Sequence, residues 1–303
     1  MRSSHNRQSL PPRRALVALG VVLALTVLVY WPGLSGPLLL DDRGTFIPLL
    51  NASPAQLFSR STLVSSTGPL GRPLSMATFA LNVQFVGDDF GAWKLSNLGL
   101  HVACGISLFL FLRALLKLGG MPRDRTVGLS IAVTAIWLLH PLQVSTVLYT
   151  VQRMAVLSSL FVFLGAGAWC WGRLVYPLQR RLGLVLMALG VVGGTGLATA
   201  AKETGLLLSY LVVAMELTVA RRAPGPAWLG KFLALLALAP VIALSIYLGM
   251  DFQKHFLNAY SLRDFSPLER LLTQVNVVVD YLQWIVLPRI SDYGFFHDDV
   301  GIV

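Results

Sequence analysis

The chain has 303 residues, 55% of them hydrophobic and 13% charged, and a mean hydropathy of +0.68. Soluble domains carry about 25% charged residues, and apolar runs long enough to cross a bilayer recur here, so an ordinary soluble fold is excluded in favour of the membrane class. The net charge of +10 is concentrated between apolar runs, which marks topology charge and anionic lipid neighbours rather than a nucleic-acid-binding face.

Residues 1–14 form a basic N-terminus, with Arg13 and Arg14 preceding the first apolar run, 15–31. This run ends in Trp31-Pro32-Gly33 without a small-residue cleavage site, so it reads as a retained first span rather than a signal peptide. A long mixed segment, 32–92, carries Asp41, Asp42 and a short apolar piece at 74–86, interrupted by Asn82 and Gln84, that suits an interfacial helix. Further spans are predicted at 94–116, 126–139, 145–171, 182–200, 205–219 and 227–249. His140-Pro141 breaks the helical pattern after the third, and Lys202-Glu203 occupies a tight connection between the fifth and sixth. A polar stretch, 251–270, leads to a last helical segment, 271–287, whose Asn276, Asp280 and Gln283 share one face; it suits either a span or an interfacial helix. Seven spans and this eighth segment are expected, in an all-α, polytopic membrane domain covering 15–303.

Basic clusters at Arg13/Arg14, 113–125, 173–181 and Arg221/Arg222 alternate with the spans. The positive-inside rule places them in the cytoplasm, with the N-terminus inside and with 32–92, His140, Lys202-Glu203 and the region from 251 onward outside. Cys104 and Cys170 fall near opposite ends of their helices, which disfavours a disulfide.

A helix rises 1.5 Å per residue, so spans serve as rulers. Asn97 lies 20 residues before Lys117, about 30 Å, the hydrocarbon thickness. That puts Asn97 at the outer boundary and His101 one turn deeper. Arg153 lies 20 residues before Arg173, and Lys202 lies 21 after Arg181, so both join the same layer, which Asp41 and Asp42 enter from the first outer segment. Charges at such depth are costly unless paired or functional. Each residue also has a plainer reading: Arg153 snorkelling to lipid phosphate, Lys202-Glu203 a bare turn, His140-Pro141 a helix end, Asp41-Asp42 a solvated turn. No phosphate loop, dinucleotide fingerprint or HExxH is present, and Gly190, Gly193, Gly194 and Gly196 suit close helix contact rather than cofactor binding.

Seven segments carry a resemblance: Asp41-Asp42, GRPLSMATFALN (71–82), SNLGLH (96–101), HPLQVSTVLYTVQRMAVLSSLF (140–161), KETG (202–205), LLTQVNVVVDYLQWIVLP (271–288) and FFHDD (295–299). In this order the chain resembles bacterial membrane proteins related to the eukaryotic transmembrane-and-TPR O-mannosyltransferases, of the GT-C glycosyltransferase class. The resemblance implies a GT-C-like helical bundle whose long first extracytoplasmic loop holds a catalytic aspartate, Asp41 or Asp42. It implies a polyprenyl-phosphate-linked sugar as donor, with Arg153 and Lys202 as candidates to hold its phosphate, and a hydroxyl acceptor on a periplasmic protein or glycan. Arg72, Asn97, His101, His140, Tyr149, Gln152, Glu203, Asp280 and His297 form the supporting polar layer, with Glu203 and His140 able to position the arginine or the aspartates. Either is also a suitable ligand for a divalent metal, without a spacing that marks a metal site. Relatives often continue into a soluble TPR region beyond the HDD motif; this chain stops at Val303, as expected of a short member or a fragment of a longer protein. The eukaryotic HPxxxE pattern has Ser145 in its last position here, which removes the specific argument for mannose. Two other classes compete with the enzyme: a non-catalytic subunit of a membrane complex, and a transporter, which would show inverted repeats and a polar site at mid-membrane.

Overall fold

The computed structural model describes residues 12–64, 71–250, 260 and 265–289. Every regular element among them is helical: α1 (Pro12–Tyr30), α2 (Asp41–Leu50), α3 (Pro54–Leu57), α4 (Arg60–Leu63), α5 (Pro73–Val86), α6 (Phe90–Leu118), α7 (Arg123–Leu139), α8 (Gln143–Leu148), α9 (Arg153–Val175), α10 (Arg180–Ala188), α11 (Gly194–Ala201), α12 (Leu207–Leu217), α13 (Leu229–Met250) and α14 (Pro267–Val286). Five helical stretches are long and apolar enough to cross a membrane: Arg13–Ser35, Phe90–Leu118, Thr150–Val175, Arg180–Ala201 and Leu229–Met250. This is an all-α membrane protein. The third of these stretches contains α9, and the fourth joins α10 and α11 through a π-helical turn, Leu189–Gly193. The expected third and sixth spans are the shorter α7 and α12.

The helices end where side-chain chemistry ends them. Asp89 caps α6, its carboxylate accepting from the Ala92 N–H at 3.1 Å, and Gly119 and Gly120 close it, Gly120 with φ +79°. His140 is extended, as a residue before proline must be, and so ends α7. Ser266 and Glu269 form a reciprocal capping box at the start of α14.

Between helices in lipid there is no hydrophobic gain to drive contact, so small residues that let backbones approach carry the packing. A Cβ added at Gly165 of α9 would stand 2.6 Å from the Gly190 carbonyl oxygen and 3.2 Å from the Gly194 Cα. Gly190 and Gly194 thus serve close packing, whereas Gly193 and Gly196 face open space. Around this seam Leu108, Phe111, Trp169, Met187, Leu208 and Val212 form the main apolar core. Cys104 and Cys170 are both free and buried.

The structure refines two sequence expectations. The apolar piece at 74–86 is α5, a helix docked into the bundle. It packs against α2, α4, α6, α9 and α11, burying Ser75, Met76, Phe79 and Ala80. Phe46, Phe79 and Trp93 meet there in a ring cluster with centroids 4.7 to 6.1 Å apart. The expected fourth span, 145–171, begins later. Residues 143–148 form the separate short α8, the chain is extended at Tyr149 (ψ 106°), and Thr150–Gln152 is a single 3-10 turn leading into α9.

Candidate functional site

A break in helix beside a membrane core strands backbone groups that must find partners within the protein. Here two side chains supply them. The Asn97 amide donates from Nδ2 to the carbonyls of Val147 and Thr150, both at 3.1 Å. The Asp42 carboxylate accepts from the N–H of Val151 at 2.7 Å and of Thr150 at 3.4 Å, and from Leu39 N–H at 3.1 Å. Asn97 and Asp42 are both 0% exposed. Burial raises the Asp42 pKa above the ordinary aspartate value, against the opposing pull of the three backbone donors and of Lys94. Asp42 is therefore a positioning residue, tying the start of α2 to the entry of α9.

Asp41, one residue earlier, is exposed. Its backbone N–H donates to the Tyr149 hydroxyl at 3.0 Å, so the extended residue of the break fixes where α2 begins. Burial, with the charges of Asp41 and Asp42, raises the Tyr149 pKa, opposed by the Asp41 N–H. The aspartate pair is divided into one carboxylate facing inward and one at the surface.

Arg153 occupies the first turn of α9 and is 1% exposed. Its Nε donates to Asn97 Oδ1 at 2.6 Å, Nη1 to the Thr78 carbonyl at 3.2 Å and to the Asn82 side-chain oxygen, and Nη2 to the Trp93 carbonyl at 2.9 Å. Its guanidinium also lies 4.7 Å from the Phe79 ring centroid. It turns inward rather than toward lipid, and its donors bond protein oxygens, so it holds together the framework at the entry of α9. None of its acceptors is a carboxylate.

The next residue, Met154, leads to a third group. Arg72 Nη1 contacts Met154 Sδ at 3.3 Å, and Arg72 Nε pairs with Glu203 Oε2 at 3.0 Å, with both partners half-buried. Arg72 itself is left-handed (φ 50°, ψ 50°) and follows Gly71 (φ +78°). A non-glycine residue in that region costs on the order of 1–3 kcal/mol and is found most often where function over-determines the backbone. Ser75 Oγ donates to the Ala201 carbonyl at 2.9 Å, docking the end of α11 against α5. Lys202 follows, partly buried, with its pKa lowered first by burial and then by Arg72, against Glu203.

Asp41, Asp42, Tyr149, Asn97, Arg153, Arg72, Glu203 and Lys202 are thereby linked through one place, the entry of α9, whose N-terminus adds the partial positive charge of a helix dipole. Gln152 caps that helix through its backbone and is partly buried. Other expected members lie elsewhere. His101 is buried one turn deeper, its Nε2 3.0 Å from the Leu138 carbonyl, between Tyr30 and Trp137. His140 bonds the Leu142 N–H and, through Nε2 at 3.1 Å, the Ile285 carbonyl of α14. Asp280 sits on that helix, partly buried and outside this network. His297 lies outside the described residues. Among the described residues no three of His, Cys, Asp and Glu gather to hold a metal ion.

Sequence reasoning missed Lys94 and Asn82. Lys94, 2% exposed, donates from Nζ to the carbonyls of Gly36 at 2.6 Å and Pro37 at 3.0 Å, pinning the loop that precedes Asp41. Its position three residues before Asn97, on the same helical turn, was the available signal. Asn82 gave only an interruption of an apolar run. Comparison with models of known protein families, with curated proteins and with solved structures finds no match.

Proposed function

We propose that this chain transfers a sugar from a polyprenyl-phosphate donor to a hydroxyl acceptor on the periplasmic side of a bacterial inner membrane, with its N-terminus in the cytoplasm, as its resemblance to the GT-C class implies. The observation that carries this reading is the surface carboxylate of Asp41 beside a site whose cations outnumber their carboxylate partners. Lys94, Arg153, Arg72 and Lys202 stand against Asp41, Asp42 and Glu203, and a helix N-terminus adds to the positive field.

Asp41 takes the proton of the acceptor hydroxyl as its oxygen attacks the anomeric carbon. The bond from that carbon to the donor phosphate breaks, and the electron pair leaves with the phosphate. A single displacement of this kind inverts the anomeric centre. A positioned base contributes about 10²–10⁴ in rate. Lys202, partly buried with no carboxylate within ion-pair distance among the described residues, holds the leaving phosphate; stabilising developing charge there is worth a similar or larger factor. Glu203 holds Arg72, and Arg153 holds the framework on which Asp41 and Lys202 stand.

A second reading, a non-catalytic subunit that assembles a membrane complex, is favoured by one observation: Asp42 and Arg153 are used by the fold itself. Sugar transfer by the purified chain from radiolabelled polyprenyl-phosphate sugars to a periplasmic protein and glycan extract separates the two. Transfer that Asp41→Asn abolishes supports the enzyme. No transfer from any donor, with the protein co-purifying in a defined membrane complex, overturns it in favour of the subunit.

A further inference from the structure

At the end of the bundle opposite the polar layer, a cavity of about 410 Å³ opens between α6, α7 and α9, within the size range of small-ligand sites. Its walls include Arg113 and Lys117 of α6, Arg123 and Val127 of α7 and Trp171 of α9. Arg113 lies over the Phe109 ring at 5.5 Å and Lys117 over the Trp171 ring at 5.6 Å. Among the described residues no carboxylate is within ion-pair distance of any of the three cations. Asp124 shares a helical turn with Arg123 but is not part of the wall. The contrast with the neighbouring buried arginine is direct: Arg173 is closed by Glu216 at 2.6 Å, whereas these three converge on open space.

We propose that this cavity is a binding site for the phosphate of an anionic lipid headgroup, in the leaflet opposite the polar layer. Three unpaired cations from two helices supply charge, and the free N-terminus of α7 supplies a further positive end. The lipid, rather than a soluble phosphate, is indicated by what adjoins the cavity. Leu110 and Ile106 continue the Arg113 face of α6 at helical spacing, and Leu164 lies two turns before Trp171 on α9. All three are exposed, giving an apolar path for acyl chains that begins at the cations. A cation beside the apolar face of a tryptophan at the membrane boundary suits the junction of headgroup and chain.

The test is native mass spectrometry of the full chain in neutral detergent, titrated with phosphatidylglycerol, phosphatidylcholine or inorganic phosphate. Wild type is expected to retain one phosphatidylglycerol saturably and to prefer it over phosphatidylcholine. A cation near the surface contributes roughly a 5-fold preference, so Arg123→Gln alone is expected to weaken retention about 5-fold. The combined Arg113→Gln, Lys117→Gln, Arg123→Gln variant is expected to weaken it on the order of 100-fold. Arg221→Gln with Arg222→Gln removes two charges from a separate cavity and is expected to leave it unchanged. Equal retention of both lipids, or equal loss in the Arg221/Arg222 variant, overturns the site in favour of a diffuse basic surface. Displacement of the lipid by inorganic phosphate at matched concentration overturns the lipid in favour of a soluble anion. Should the triple variant fail to fold, Lys117→Gln and Arg123→Gln, both at exposed positions, decide the matter singly; unchanged retention in both overturns the proposal.

Discussion

The two ends of α9 each bury an arginine, 20 residues apart, and treat it differently. Arg173, 2% exposed, pairs with Glu216 at 2.6 and 3.1 Å; Trp169 Nε1 donates to the same carboxylate at 2.8 Å, and the Pro224 carbonyl accepts a further Arg173 N–H at 2.6 Å. Charge and counter-charge close on each other, which is how a structural ion pair is arranged. Arg153 is as deeply buried but is held only by amide and carbonyl oxygens. Its hydrogen bonds are satisfied while its charge is not matched by a bonded carboxylate, so the positive field persists around the entry of α9. One end closes charge on counter-charge, and the other holds its arginine on neutral oxygens alone.

The strongest way to break the comparison is to remove each arginine. Arg173→Met leaves Glu216 buried and unpaired, a loss of about 3–5 kcal/mol; adding Glu216→Met is expected to restore most of it, as read by thermal unfolding in detergent. Arg153→Met strands the side-chain oxygens of Asn97 and Asn82, each costing about 1–3 kcal/mol, and opens a cavity where the guanidinium stood. No single second substitution repairs that, and the protein is expected to accumulate poorly. Rescue of Arg153→Met by Asn97→Leu alone would show that the two ends are alike after all.

Next in size is the aspartate pair. Asp41→Asn is expected to cut transfer by about 10²–10⁴ with unchanged unfolding temperature. Asp42→Asn, which weakens the acceptor for three backbone donors, is expected to lower the unfolding temperature first and activity as a consequence. Equal mild losses of transfer in both would sink the division of labour between them.

Lys202 gives a pH test. Its folded-state pKa is below the ordinary lysine value of 10.5. The folded chain therefore gives up this proton at lower pH than the unfolded chain. Between the two pKa values the unfolded state binds more protons, so this group's contribution to stability rises with pH. Donor binding in the proposed reading runs the other way, because there the cation holds the phosphate. Donor affinity is expected to fall as pH rises through the depressed pKa, short of 10.5, and Lys202→Arg should remove that alkaline loss. A pH profile unchanged by Lys202→Arg would detach the residue from the donor.

The smallest effect lies midway between the ends of α9. Gly165→Ala pushes a methyl against the Gly190 carbonyl at 2.6 Å, and overpacking of this kind costs about 1–3 kcal/mol. The expected result is a modest drop in unfolding temperature with transfer kinetics per folded molecule unchanged.

The sequence by itself determined the membrane class and most of the long helices, because hydropathy and the rise per residue are local properties. It also marked the glycines of the α9–α11 seam, though not which of them touch. Only the tertiary structure decided direction. Whether Arg153 turns to lipid or inward, which of two adjacent aspartates faces the break at Tyr149, and that α5 docks into the bundle all depend on partners far away in sequence, such as Asn97, Val151 and Ala201. The start of α9 was misread for the same reason. Residues 145–152 are apolar enough to continue a helix, and the break holds only because Asn97 and Asp42 take up the backbone groups it frees.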